Sequence, residues 1–386
     1  MIPSRSIPFG KPWITDSERD AVMDVLHGDI LTHGPQGKAF EEEFGKFVGG
    51  DAYCVSTSSG MAALHLTYLQ LGISAGDEVI VTAQTHTATA HAVEAVGATC
   101  VFVDCEGTTG NIDISQIEGK FTPRTKAIAL VHFLAIPCDM DAIMSIADKH
   151  GLKVIEDCAL AVGARYKGKH VGLFGDAGCF SFYPVKHITT GDGGMLITKH
   201  KALAEKAFKL RAFGVDRSFT ERAIPGMYDV PTWGLNYRMS DINAALGRKQ
   251  LKRIDEILKR RHNNFAQLKS ALQKLPDVSI IDSNSANAVS THYCLSVILN
   301  GELAAYRNEV VSKLNQAGIG TSVMYPQPVP RMTYYRNKYG YRAEDFPQAT
   351  RISDDSIALP VGPHVNADDT NYIAETFAQT IQEINL

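Results

Sequence analysis

The sequence predicts an α/β protein, a large doubly wound domain with a mostly parallel sheet followed by a smaller C-terminal α+β domain. Three observations carry this. From about residue 52 to 200, short apolar runs rich in β-branched residues alternate with longer stretches of helical periodicity, the signature of a parallel sheet covered on both faces. The 386 residues exceed what one hydrophobic core ordinarily organises, so a second domain is expected. Residues 214–233 then mix Gly, Pro and charge without periodicity, and the pattern changes after them. The large domain is assigned residues 1–250 and the small one 251–386.

In chain order, buried strands are expected at 79–81, 100–103, 127–131, 153–155 and 195–197, each a short run such as Val79-Ile80-Val81. Helices are expected between them at 60–71, 87–96, 140–150 and 202–211. Residues 214–233 read as a loop able to reach a neighbouring subunit. Ser240 then opens one long amphipathic helix over 241–275, with Ile242, Ala245, Leu246, Leu251, Ile254, Leu258 and Leu268 at roughly helical spacing. A strand at 293–298 and helices at 302–317 and 367–384 complete the small domain.

Composition removes several classes of function. A net charge of −4 gives no concentrated basic face for nucleic acid, and the densest basic stretch, 249–262, is spaced like the solvated side of a helix. Seven cysteines without a close pair match neither a disulfide framework nor a zinc site, so no metal is expected. The first eight residues lack the apolar segment of a signal peptide, and no stretch approaches a membrane span. A soluble, cytoplasmic protein with no nucleic-acid or membrane partner is the expectation.

The residues that carry chemistry are dispersed. Asp157 ends the apolar run Val154-Ile155-Glu156-Asp157, where ligands of parallel sheets collect. Lys186 lies 29 positions later, in Ser181-Phe182-Tyr183-Pro184-Val185-Lys186-His187, ahead of a glycine-rich turn. Such a pair suits pyridoxal phosphate (PLP): an amine condenses with the aldehyde carbon, while a carboxylate keeps the pyridine nitrogen protonated. Ser59-Gly60-Met61 precedes an apolar helix whose first amides would face a phosphate, with the Ser181 hydroxyl as a second contact. His86 follows a strand at a position suited to stacking on the ring. Each has a plain structural alternative: a helix cap for Ser59 and Asp157, a buried serine for Ser181, a surface loop histidine for His86. Only the combination points to a cofactor.

Seven segments in this order resemble one family: Leu31-Thr32-His33-Gly34-Pro35; Ser59-Gly60-Met61-Ala62-Ala63-Leu64-His65-Leu66; Gly76-Asp77-Glu78-Val79-Ile80-Val81; Val101-Phe102-Val103-Asp104; Glu156-Asp157-Cys158-Ala159; the Lys186 run; and Gly234-Leu235-Asn236-Tyr237-Arg238-Met239-Ser240-Asp241. Nearly end to end, the chain resembles the PLP-dependent nucleotide-sugar aminotransferases of the DegT/StrS type, which have the aspartate-aminotransferase-like fold type I. The resemblance implies that Lys186 anchors PLP and moves protons. It implies that Ser59, Gly60, Met61 and Ser181 hold the phosphate, that His86 stacks on the ring, and that Asp157 pairs with its nitrogen. It further implies a homodimer, with Asn236 reaching the partner subunit's cofactor, and Tyr183, His187 and Tyr325 on the substrate side. The implied reaction is ping-pong: an amino acid, glutamate by analogy, gives its amino group to the cofactor, which passes it to a keto-sugar acceptor, most often a 4-keto-6-deoxyhexose.

The departures concern the acceptor. Met61 stands where threonine is frequent, Leu160 replaces a polar cofactor-side residue, Ala135-Ile136-Pro137 replaces Gly-Gln-Pro, and Pro330 takes the place of a substrate-side histidine. These leave open a keto-polyol or keto-sugar phosphate as acceptor. A sugar 3-dehydratase is disfavoured because its kind replaces the anchoring lysine with histidine, and here Lys186 is present. A non-catalytic regulatory or scaffold homologue would have no need of Asp157, Ser181, Lys186 and Asn236 together.

Overall fold

The structure, a computed structural model, describes residues 5–49, 51–216, 224 and 227–384. Of the expected loop at 214–233, residues 217–223 and 225–226 lie outside the described residues.

Helices α1 (Asp16–His27) and α2 (Pro35–Val48) come first. They are followed by β1 (Tyr53–Thr57), α3 (Gly60–Gln70), β2 (Glu78–Thr82), α4 (Thr87–Ala95), β3 (Thr99–Val103), β4 (Thr125–Val131), α5 (Met140–His150) and β5 (Lys153–Asp157). A small hairpin, β6 (Arg165–Tyr166) and β7 (Lys169–His170), precedes β8 (Ala177–Ser181), β9 (Gly194–Thr198) and α6 (Lys201–Leu210).

Seven of these strands form one sheet in the order β1-β9-β8-β5-β4-β2-β3. The pairings from β8 through β5, β4 and β2 to β3 are parallel, while β9 runs antiparallel to both its neighbours. This is the mostly parallel α/β fold that the sequence predicts. Both faces are buried: Val79, Val81, Ala127 and Ala129 join one core cluster, and the alternating Ile80, Ile128 and Leu130 join another.

Two strands of the sheet, β1 and β8, are absent from the predicted set. β8 reads Ala-Gly-Cys-Phe-Ser, too short and too rich in small residues to give a strand pattern; pairing on both sides makes it one.

Beyond the large sheet lie α7 (Asp241–Lys252), α8 (Ile254–Leu272), β10 (Val278–Ile280), β11 (Ala288–Val289), β12 (Leu295–Leu299), α9 (Arg307–Gln316), α10 (Thr333–Tyr339), α11 (Pro347–Asp355), β13 (Ser356–Leu359) and α12 (Ala367–Ile384). β10, β12 and β13 make a three-stranded sheet whose core includes Leu268 of α8, Val310 of α9 and Phe377 of α12. The main core also takes in Met324, Val329, Tyr335 and Phe346, so the chain beyond residue 250 packs on both cores.

The single helix expected over 241–275 is corrected to two, α7 and α8, divided at Arg253 (φ −105°, ψ 9°). The cause is tertiary. The N-terminal arm grips the break: Arg253 donates to Glu18 at 2.8 Å and lies 3.9 Å over the Trp13 ring, and Gln250 donates to Glu18 and to the Trp13 carbonyl. No local periodicity reports such a grip.

Candidate active site

The topology gathers the site at one edge of the large sheet. Parallel β2, β4, β5 and β8 all end there, and β9, being antiparallel, begins there. In register, Gly194 of β9 lies between Thr57 and Ser181, while Asp157 lies between Val131 and Cys179. Residues far apart in sequence therefore share one rim.

At the β1 end, Ser59 caps α3, its Oγ accepting from the Ala62 amide at 3.1 Å. The first-turn amides of Gly60 and Met61 have no acceptor within the helix, so they are available to an anion. Two glycines permit this approach. A Cβ on Gly60 would lie 2.9 Å from the Ser181 Cβ, and one on Gly194 would lie 2.3 Å from the Ser59 carbonyl oxygen. Gly60 and Ser181 thus lie close together, beside the exposed Met61.

Asp157, at the end of β5, is buried. Its Oδ2 accepts from the Thr89 hydroxyl at 2.6 Å and its Oδ1 from the Ala159 amide at 3.0 Å. The Thr89 hydroxyl in turn lies 2.7 Å from that of Thr85. Sequence reasoning missed Thr89; its only signal was its position one turn after His86 at the start of α4. His86 caps that helix, Nδ1 accepting from the Ala88 amide at 3.1 Å, and its ring stands edge-on to Tyr325 at 5.5 Å. Burial first, and then the Lys186 charge, lower the His86 pKa, with Asp157 opposing, so the neutral ring is favoured.

Lys186 is half-buried in the turn after β8, its amide donating to the Tyr183 carbonyl at 2.9 Å. Its Nζ sits over the Tyr293 ring, 5.1 Å from the centroid, and no carboxylate of the described residues pairs with it directly. Crowding by protein atoms pushes its pKa down to about 8, against the opposing charge of Asp157. A sizeable fraction of free amine near neutrality is what a nucleophile requires. Tyr293 was also missed: it lies outside every quoted motif and reaches the lysine only through the fold.

The remaining expected residues divide. Tyr183 is exposed on the Lys186 turn, and Tyr325 reaches the site through His86. His187 points away into the protein, Nε2 on the Thr291 carbonyl at 3.1 Å, and burial holds its pKa well below the usual imidazole range. Leu160 is a buried member of the main core, and Pro330 is buried beside Val329, whose amide donates to the Ala83 carbonyl. Asn236 is exposed on the strand-like segment that bridges Ala212.

His132, Glu156 and Cys158 bring three metal-capable atoms within 4.8 Å of one another. The histidine and the carboxylate are already committed. Glu156 accepts from the amides of Gly172, Phe174 and Gly175 and from His132, and the His132 Nδ1 accepts from the Cys138 amide. Burial alone would raise the Glu156 pKa; these hydrogen bonds outweigh it and hold it below the usual carboxylate range. The cluster ties the loop before β8 to β5.

The profile of the DegT/DnrJ/EryC1/StrS aminotransferase family matches residues 12–378. The chain belongs to that family. Among its relatives, the spore coat polysaccharide biosynthesis protein SpsC of Bacillus subtilis is 36% identical over 97% of both chains. The GDP-perosamine synthase of Escherichia coli O157:H7 is 36% identical over 96% of this chain and 97% of its own. Among solved structures, Spr1654 of Streptococcus pneumoniae, determined in PLP and pyridoxamine phosphate (PMP) forms, superposes with a TM-score of 0.92 at 29% identity, covering 98% of this chain and 100% of its own. The protein is accordingly a PLP-dependent transaminase, of the class to which sugar aminotransferases belong. Among the described residues, no helix is long and apolar enough to cross a membrane.

Proposed function

We propose that the protein transfers the amino group of an amino acid, L-glutamate, to a nucleotide-linked keto-sugar, with a 4-keto-6-deoxyhexose as the leading acceptor. The observation that carries the site assignment is the rim itself: a lysine amine of lowered pKa and a buried, hydrogen-bonded carboxylate, beside a helix N-terminus opened by Gly60 and Gly194. The residues fit PLP. Gly60, Met61 and Ser181 would hold the phosphate, Asp157 the pyridine nitrogen, His86 the ring face and Lys186 the aldehyde carbon. When bound, PLP supplies an electron sink that acidifies the donor's Cα–H.

The chain's own groups do the rest. Lys186 Nζ, its pKa lowered by burial to about 8, would be the group that takes the donor's Cα proton and gives it back, and would do the same in reverse for the acceptor. The Asp157 carboxylate, held by the Thr89 hydroxyl and the Ala159 amide, would be directed at the ring nitrogen. The His86 ring, exposed on one side, presents an aromatic surface beside Tyr325.

Asn236 and the exposed apolar side chains of Phe213, Met227, Val230 and Trp233 near it favour a homodimer that completes each site across the interface. A cytoplasmic location suits a soluble substrate pair of this kind. Nucleotide-sugar use is supported by the GDP-perosamine synthase relative. Buried Leu160 and Pro330, where polar residues are common in the family, favour a second acceptor class, a keto-polyol or keto-sugar phosphate.

Lys186→Ala tests the core of the reading. The visible absorbance of lysine-bound PLP and all turnover should be lost; retained transamination would overturn the assignment. Pyridoxamine-form enzyme, screened against nucleotide keto-sugars, keto-polyols and keto-sugar phosphates, separates the acceptors. Cofactor that stays unchanged with every amino donor would indicate a regulatory homologue instead.

A further inference from the structure

Arg261 of α8 is 4% exposed, yet its guanidinium meets only backbone carbonyls: Nη1 donates to Tyr293 at 2.9 Å and more weakly to His292 at 3.4 Å. Its Nε has no partner, and no carboxylate of the described residues pairs with it. A buried cation without a counter-charge is strongly disfavoured, and proteins seldom leave one so. Arg261 lines a small cavity together with Gly10, Lys11, Val185, Tyr293 and His364. Its basic groups are Arg261, Lys11 and His364, and no acid lines it. The carboxylate that acts on His364, Asp369, is engaged by Arg5.

His364 repeats the anomaly. Its Nδ1 is buried and unpartnered, while Nε2 lies 2.9 Å from the Pro8 carbonyl and so carries the proton that bonds it. Nδ1 therefore donates into the cavity only when the ring takes a second proton. Water there would satisfy the polar atoms but leave the Arg261 charge uncompensated; an anion compensates that charge, and gains a second donor at Nδ1 when the ring takes up its second proton. The accessible space, about 10 Å³, is of the order that one water or one small ion needs.

We propose that this cavity is a resident halide site, occupied by chloride, which neutralises Arg261 and joins three parts of the chain. These are the N-terminal arm at Gly10 and Lys11, the turn at Val185 immediately before Lys186, and the C-terminal segment at His364. Occupancy would brace the lysine turn through Val185 and Tyr293, whose ring lies against Lys186 Nζ.

The holoenzyme crystallised and soaked in sodium bromide, with data collected at the bromine absorption edge, should show an anomalous peak bounded by Arg261, Val185 and His364. In solution, replacing gluconate by chloride at constant ionic strength, to about ten times the dissociation constant, should raise the Tm by about 2 °C. Arg261→Met should abolish that chloride response. No anomalous peak together with equal Tm in chloride and gluconate would show water alone and overturn the proposal. A peak that vanishes in glutamate-soaked crystals would assign the site to the donor's carboxylate and overturn it equally. If Arg261→Met does not fold, the bromide map of the unaltered enzyme decides.

Discussion

Asp157 and Lys186 are each a commonplace residue until their neighbours are counted. The carboxylate is held by Thr89 on one oxygen and a backbone amide on the other, which fixes its direction before any cofactor arrives. Thr89 therefore acts through Asp157 as a positioning residue. Thr89→Val keeps the shape and removes one hydrogen bond, worth about 1.5–3 kcal/mol for a bond to a charged group. It should lower kcat/KM by roughly tenfold while PLP is retained, as measured by steady-state kinetics and cofactor absorbance. Unchanged kinetics would show that Ala159 alone orients the carboxylate. The sequence made Asp157 legible, because a carboxylate closing an apolar strand is conspicuous. Thr89 was not, since a threonine in the first turn of a helix is ordinary and its partner is 68 residues away.

At the scale of elements, the loop after β4 shows the effect of one substitution within a motif. Ala135 stands where the family commonly has glycine, and its backbone adopts φ +70°, a left-handed conformation that costs an L-residue about 1 kcal/mol. Ala135→Gly should raise the unfolding free energy by up to about 1 kcal/mol, partly offset by glycine's greater freedom in the unfolded chain, as read by urea denaturation. A loss of stability would mean that the buried methyl contributes more than the backbone relaxation returns. The neighbouring Leu134 carbonyl accepts from the Tyr293 amide, so this loop also sets the floor beneath Lys186. The motifs at 31–35 and 234–241 turn out to be one device. The Asp241 carboxylate accepts from the amides of Gly34 and Gln36, capping α2, while its own amide donates to the Leu31 carbonyl. Periodicity located five of the seven strands of the large sheet, but it joined α7 to α8 and passed over β1 and β8. Both errors arise where a distant partner, rather than local pattern, fixes the backbone.

Across the whole molecule, buried neutral histidines set the acid limit. His170 accepts from the Gly163 amide on Nε2 and contacts the Val171 carbonyl through Nδ1, and burial pushes its pKa down to about 4; burial does the same to His292. Unfolded, each titrates near 6.5, so between about 6.5 and 4 the unfolded chain binds more protons. These groups therefore remove stability as pH falls through that window and add no further loss below it. Urea midpoints should decline from pH 7 to 4.5, and His170→Gln should flatten the slope; a midpoint independent of pH would refute the account.

The sequence by itself determined the α/β class and pointed to the cofactor, because strand periodicity, a strand-ending aspartate and a lysine in a glycine-rich turn are local patterns and the motifs together resemble one family. Tertiary structure decided which partners activate them. The antiparallel β9 brings Gly194 beside Ser181, α4 brings Thr89 to Asp157, and the corner before β12 brings Tyr293 beneath Lys186. It also left Arg261 buried with no counter-charge among the described residues, a fact that no spacing reveals. The physical reason is common to all of these: desolvation and hydrogen bonding depend on what surrounds a group in space, and the chain fixes that only once it is folded.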